Sequence, residues 1–251
     1  MPTPPKAEII NGIKTFIPLE NNPEILKLLC KNLQISRALD FHDIISTSPE
    51  FRQECHFRPC HALIVLAEQP IYEAARSAVN QTIPEYEGSG ATEPVLWIKQ
   101  TIGHACGLMA LLHVVFNLEG GRQYVRPGTA LDTLWQQAIL LGPVERAQLL
   151  YDSGFLEEAH MDAAARGSSN VPSPRDDNRH HFLAFVQKGG EVWELNGGMN
   201  GPLFRGGLGE GEDLLSERGL DLTARDFLVA AGQTGCDEMS IVAVTGAGAG
   251  T

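Results

Sequence analysis

The chain contains no apolar run near the roughly 18 residues that a membrane helix requires, so no membrane span is expected. Its opening residues, MPTPPKAEII, lack the apolar stretch of a secretory signal, which argues against export by that route. Basic residues are scarce. Lys and Arg number 19 against 31 Asp and Glu, giving a net charge of −12. Such a surface repels a phosphate backbone, so nucleic acid is not expected as a partner. It favours the approach of a basic ligand instead. Cysteines are few and odd in number: Cys30, Cys55, Cys60, Cys106 and Cys236 show no repeated spacing. A disulfide framework is therefore not expected, and a reducing cytosolic or nuclear compartment fits, with the cytoplasm as the expected location.

Against those absences stand 251 residues, of which 43% are hydrophobic, enough to bury a substantial core. The pattern predicts one mixed α/β domain over residues 1–251, with frayed ends at about 1–12 and 246–251. Residues 16–19 read as a short strand, and Asn22 caps a helix through PEILKLLCKNL with Pro23 in its first turn. ALDFHDI, HALIVLAE and VLWIKQ read as strands, and YEAARSAV as a helix. Further helices are expected at ACGLMALLHVVFNL, ALDTLWQQAILL, PVERAQLLYDS and ARDFLVAAG. HHFLAFV and EVWEL flank QKGG as a hairpin, and SIVAVTG is a last strand. Residues 154–179 break the periodicity with Gly, Ser, Pro and charge, and read as a long functional loop.

Cys106 falls where an extended stretch passes a glycine and enters a long apolar helix. Unpaired N–H groups and the helix dipole at such a start favour an anion, which would lower the thiol pKa. Gly103 and Gly107 would let a substrate backbone approach closely. Gln100, six residues earlier, could aim its amide at the oxygen that becomes negative during attack, beside the Cys106 N–H. On the residues alone, a small cysteine in an apolar helix reads more readily as core than as nucleophile.

The segment QTIGHACG resembles the signature of ubiquitin C-terminal hydrolases: a Gln, five intervening residues, then Cys-Gly at a helix start. His104 stands where that family commonly has Asn. FIPLENNPEIL, RPCHALIVL, PVERAQLL and GCDEMSIVAV also look like family features in the right order, so the resemblance runs from about residue 14 to 245. It implies a papain-like α/β fold of the α+β type, with a central, largely antiparallel sheet flanked by helices and a crossover loop at 154–179 over the site. It also implies a thiol protease that releases small or unfolded adducts from the C-terminal glycine of ubiquitin through a Cys106 acyl-enzyme.

A thiol nucleophile needs an imidazole to take its proton and return it to the leaving group. The family has His-Phe followed by an alternating apolar run, and HFLAFV matches with His181 as the base. Strand alternation puts His181, Leu183 and Phe185 on one face and His180 on the other, in solvent. The family then has Tyr-Glu-Leu-Asp-Gly, whose Asp orients the imidazole. This chain has WELNGG, with Asn196 in the matching place. An amide orients the ring but cannot stabilise its charge as a carboxylate does, and papain-like Cys-His-Asn sites work with that arrangement. The expected set is Cys106, His181, Asn196 and Gln100, with a catalytically impaired ubiquitin-binding module as the alternative.

CHFRPCH clusters two Cys and two His at residues 55–61, but a closed zinc site needs a second pair at a distance. GGLGEGED lacks the flanking strand, helix and lysine of a nucleotide loop. Neither motif is expected to bind a metal or cofactor. His113 reads as a satisfied core histidine, and Trp97, Trp135 and Trp193 as core residues. No partner-binding extension is evident, so a free-standing monomer is expected.

Overall fold

A computed structural model describes residues 5–167, 173–176 and 178–246. Its centre is a six-stranded sheet. In chain order its strands are β3 (Leu39–Asp43), β4 (Cys60–Glu68), β5 (His180–Lys188), β6 (Glu191–Leu195), β7 (Leu203–Gly207) and β8 (Met239–Gly246). They lie in the order β3-β8-β4-β5-β6-β7, and every neighbouring pair is antiparallel. A separate hairpin of β1 (Glu8–Ile10) and β2 (Ile13–Thr15) turns at Asn11-Gly12, both with positive φ. The helices are α1 (Pro23–Asn32), α2 (Pro49–Glu54), α3 (Gln69–Asn80), α4 (Cys106–Asn117), α5 (Ala130–Leu140), α6 (Pro143–Tyr151), α7 (Gly154–Ala164), α8 (Glu217–Leu222) and α9 (Arg225–Thr234). Among the described residues no helix is long and apolar enough to cross a membrane.

Both faces of the sheet are covered, so its central strands are apolar throughout. Ala62 and Ile64 of β4, with Phe182, Ala184 and Val186 of β5, join the core formed by α1, α4, α5 and α7. The alternate residues Leu63, Val65, Leu183 and Phe185 face α3, α8 and α9. Every residue of α4 is buried, which is why its sequence is apolar all round. Its two polar members serve the backbone. Asn117 Nδ2 donates to Leu96 O at 2.9 Å and its Oδ1 accepts from Leu96 N–H at 2.7 Å, while His113 Nε2 accepts from Ile98 N–H at 2.9 Å.

Those bonds correct one expectation. Residues 95–100 form no strand; the segment runs beside α4, and side chains satisfy its backbone in place of a β-ladder. Buried Arg146 completes the arrangement by donating to Trp97 O at 2.6 Å, Ala138 O at 2.9 Å and Leu141 O at 2.7 Å, and by pairing with Glu93 at 2.6 Å.

Four further readings change. Residues 16–19 are not a strand, because pairing ends at Thr15 with a single bridge to Gly103. The opening residues are not all frayed, since 8–15 make the β1–β2 hairpin; residues 1–4 and 247–251 lie outside the described residues. The expected loop at 154–179 begins with α7, capped by Ser153, whose side chain accepts from Leu156 N–H. Its Ala-rich run builds a helix once His160 and Met161 are buried. Only 165–179 remain for the loop, and 168–172 and 177 lie outside the described residues. Finally, Trp193 is half-buried against exposed Phe204 on β7, with ring centroids 5.2 Å apart, whereas Trp97 and Trp135 are in the core. The QKGG hairpin holds, with Gly189 and Gly190 supplying the two positive φ values of a two-residue turn.

The two dismissed motifs meet each other. Asp213, at the end of GGLGEGED, accepts from Arg58 Nε and from Cys60 N–H, both at 2.9 Å. The pairing clamps the loop to the start of β4.

Candidate active site

Cys106 opens α4, and the loop before it bends through a left-handed residue. His104 has φ of 57°. Asn, Asp and His are the non-glycine types most at home there, so His104 and the Asn of the resembling family suit the same turn. A Cβ on Gly103 would stand 2.7 Å from Thr15 Oγ1, and one on Gly107 would press on Leu19 and the Phe182 ring. Both glycines therefore make room for neighbouring protein, not for a substrate backbone as expected. Gly103 is fixed from both sides, its N–H donating to Lys14 O at 2.8 Å and its O accepting from Phe16 N–H at 2.9 Å.

The pairing of β6 with β5 begins at Ala184 opposite Leu195, so residues 180–183 have β4 on one side only. The Cys106 thiol lies at this gap, against the backbone of Phe182. Burial pushes its pKa above the ordinary thiol value, while the backbone groups of Phe182, Gly107 and Cys106 draw it back without cancelling the rise. The helix start acts in the expected direction, but burial outweighs it in the resting structure.

His181 stands one residue before Phe182. Its Nε2 and Asn196 Oδ1 are 2.7 Å apart. The orientation of the amide follows from its other contacts. Oδ1 also accepts from Gly198 N–H at 2.8 Å, and Nδ2 donates to Tyr72 Oη at 3.0 Å. A flipped amide would set an NH2 against the Gly198 N–H, donor on donor. Oδ1 therefore faces the imidazole, Nε2 carries the hydrogen, and Nδ1 holds the lone pair of the neutral ring. The Tyr72 ring packs on His181 at 4.7 Å between centroids. Burial holds the His181 pKa below the ordinary histidine value, and the bond to Asn196 only partly restores it.

Gln100 is tied to the same turn. Its N–H donates to Gly197 O at 2.9 Å, and a Cβ on Gly197 would stand 2.8 Å from Gln100 Cβ. One hydrogen of its side-chain NH2 goes to Ile102 O at 3.0 Å, which orients the group and leaves the second for a ligand.

His180 is not simply solvated. Its Nε2 meets Glu238 Oε2 at 2.7 Å. With Glu68 these residues form the one described His/Cys/Asp/Glu group whose ligand atoms all lie within 4.8 Å of one another. In the CHFRPCH motif the Cys60 thiol donates to Ala62 O instead.

Sequence reasoning missed Tyr72 and Gly198, which set the Asn196 amide. Gly198 was legible as the second glycine after Asn196. Tyr72 lies on α3, far away in the chain, and nothing local announces it.

A profile described as ubiquitin carboxyl-terminal hydrolase, family 1, matches residues 16–223. The chain is 33% identical over 194 residues to a ubiquitin carboxyl-terminal hydrolase of Aplysia californica, covering 76% of this chain and 86% of that protein. It is 28% identical over 199 residues to ubiquitin carboxyl-terminal hydrolase YUH1 of Saccharomyces cerevisiae, covering 77% and 79%. In fold it is similar to the Trichinella spiralis UCH37 catalytic domain bound to ubiquitin vinyl methyl ester, with a TM-score of 0.69 and 18% identity, covering 92% of this chain and 95% of that one.

Proposed function

Because the chain belongs to family 1 of the ubiquitin carboxyl-terminal hydrolases, we propose that Cys106 is its nucleophile, His181 its acid and base, Asn196 the group that orients His181, and Gln100 an oxyanion donor. The protein is a deubiquitinating thiol peptidase whose substrate is ubiquitin joined through its C-terminal glycine to a leaving group. One observation supports the division of roles above the others: the 2.7 Å contact of His181 with Asn196, whose amide cannot flip, beside the strand residue that touches Cys106.

In this reading Cys106 Sγ attacks the glycine carbonyl carbon while its proton passes to His181 Nδ1. The negative oxygen accepts from the Gln100 amide and the Cys106 N–H. The tetrahedral species collapses to a thioester, and the departing amine or thiol takes the proton from His181. Water then attacks the thioester, gives a proton to His181, and releases ubiquitin as the carboxylate with the thiol restored. Asn196 accepts from Nε2–H throughout, so the ring can gain and lose its Nδ1 proton without turning.

The two pKa directions fix a pH profile. Below its pKa the imidazole already holds a proton and cannot accept one, and burial moves that loss below the ordinary value of 6.5. The thiol is moved above its ordinary 9.0. As a coupled pair they give kcat/KM a plateau across that window, with the acid limb below and the alkaline limb above it. A limb inside the window, measured on a ubiquitin C-terminal amide, contradicts the burial argument.

Asn196→Asp tests how much a carboxylate adds. Oδ1 and Oδ2 would accept from His181, from Gly198 N–H and from a rotated Tyr72 hydroxyl, so the site keeps its geometry. The expected gain in kcat is below about 10³-fold. A larger gain means that the natural enzyme is severely impaired and works chiefly as a binding module.

Residues 165–179 link α7 to the strand that carries His181, the place of the expected crossover loop. It filters leaving groups by size, favouring small or unfolded adducts. Inserting several Gly-Ser residues should increase cleavage of folded conjugates relative to small amides; an unchanged ratio argues against the filter. All five cysteines are free, which supports a reducing, cytoplasmic location for a single catalytic domain.

A further inference from the structure

At the end of the sheet remote from His181, the chain carries a cavity of about 530 Å³ between the C-terminal half of α1, the start of β3 and the segment around Arg126. The two ends are separated by the length of β8. Met239 pairs with Ala67, which pairs with His181, while Gly246 pairs with Leu39 at the cavity. Eight strand residues put about 23 Å between them.

The cavity contradicts the character of the whole surface. In a chain of net charge −12 its rim carries Lys27, Lys31, Arg37 and Arg126 against a single carboxylate, Asp40, a local balance of four minus one. Lys27 is taken up by Asp40 at 3.1 Å and Glu24 at 3.3 Å, and Lys31 lies in the field of Asp162. Arg37 and Arg126 are exposed, and among the described residues neither guanidinium donates a hydrogen bond or joins an ion pair. The floor is apolar, made by Ile35, Leu39, Phe41 and Cys30. The walls are tied together. Ile35 bridges Val125, and Ser36 N–H donates to Tyr124 O at 2.7 Å, so the two free arginines sit on joined backbone.

We propose that this cavity binds an acidic peptide segment of a partner protein, with one apolar side chain on the floor and flanking carboxylates on Arg37 and Arg126. Two free guanidinium forks match carboxylates in pairs. The volume and the apolar floor are those of a ligand site holding a few residues. A phosphate cradle is not what is built here. The helix end offers no spare backbone donors, since the N–H groups of Leu33, Gln34 and Ile35 are already given to Leu29 O, Lys31 O and Cys30 O. Recognition therefore rests on side-chain cations over an apolar base, which suits Glu and Asp flanking a Leu or Phe. Because the cavity lies at the far end of the sheet from His181, occupancy would leave the Cys106 thiol open.

The experiment is fluorescence anisotropy of the full chain with a labelled peptide in which Glu and Asp flank a Leu-Phe pair. Binding should weaken with added salt, and by at least about tenfold in the Arg37→Glu/Arg126→Glu variant, with hydrolysis of a ubiquitin C-terminal amide unchanged in both proteins. The unchanged hydrolysis certifies the fold, and an Arg37→Gln/Arg126→Gln variant should show a smaller loss of the same kind. No binding of the peptide overturns the proposal. So does equal binding of a control with Gln and Asn in place of the acids, which would mark a merely apolar groove. Binding of inositol hexakisphosphate in the absence of peptide binding overturns it in favour of a small anion.

Discussion

His181→Ala should lower kcat/KM for a ubiquitin C-terminal amide by about 10⁴-fold or more, while His180→Ala should stay within about threefold of the native enzyme. The two residues are adjacent on β5 and point to opposite faces, so the comparison isolates direction from position. His181 is the one held by Asn196, packed on Tyr72 and next to the strand residue that touches the Cys106 thiol. In the proposed mechanism, removing it deprives the thiol of its proton acceptor and the leaving group of its donor. His180 instead reaches Glu238 on the surface, and loss of an exposed pair of that kind changes little. Steady-state kinetics of both variants decide the matter, with circular dichroism to show that each folds. A larger loss at position 180 would move the proposed base by one residue and to the other face of the sheet, and equal losses would overturn the assignment of a single base.

The second large effect lies away from the chemistry. Arg146→Ala should cost about 3–5 kcal/mol of stability, because the buried carboxylate of Glu93 would lose its counter-ion. Three backbone carbonyls, of Trp97, Ala138 and Leu141, would lose their donor in the same change. A domain of marginal stability would be brought near its unfolding threshold by such a loss, so the urea midpoint should fall sharply. Lys99→Ala provides the control. Lys99 pairs with Glu85 at 3.3 Å on the surface, and its removal should cost no more than about 0.5 kcal/mol. An Arg146 variant as stable as the Lys99 variant would show that the segment before Gln100 is held by α4 alone.

The proposed site residues are legible because they come in local signatures. Gln100 and Cys106 share one short segment, His181 starts an alternating apolar run, and Asn196 follows the next strand. The hairpin at Gly189-Gly190 and the cap at Asn22 are local in the same sense, each a matter of one turn. What failed to read depended on partners distant in the chain. VLWIKQ has the composition of a strand, yet Asn117, His113 and Arg146 supply its hydrogen bonds, so it has no neighbouring strand to join. The run at 154–164 sets small apolar residues among charged ones, and its helix buries Leu156, Ala159, Ala163 and Ala164 together with His160 and Met161, which meet Ile17, His160 Nε2 lying 2.7 Å from Ile17 O. The thiol pKa departs from expectation for the same reason. Sequence shows the helix start that lowers it, whereas burial, which raises it further, belongs to the folded core.

Ubiquitin vinyl methyl ester, followed by mass mapping of the labelled peptide, puts the whole account at risk in one step. The vinyl group is held where the glycine carbonyl would be, so in the proposed mechanism the thiol that His181 activates captures it fastest. The predicted result is a single adduct on Cys106, absent from Cys106→Ala and strongly slowed in His181→Ala. No adduct, or an adduct on half-buried Cys55 or Cys236 in place of Cys106, would contradict it.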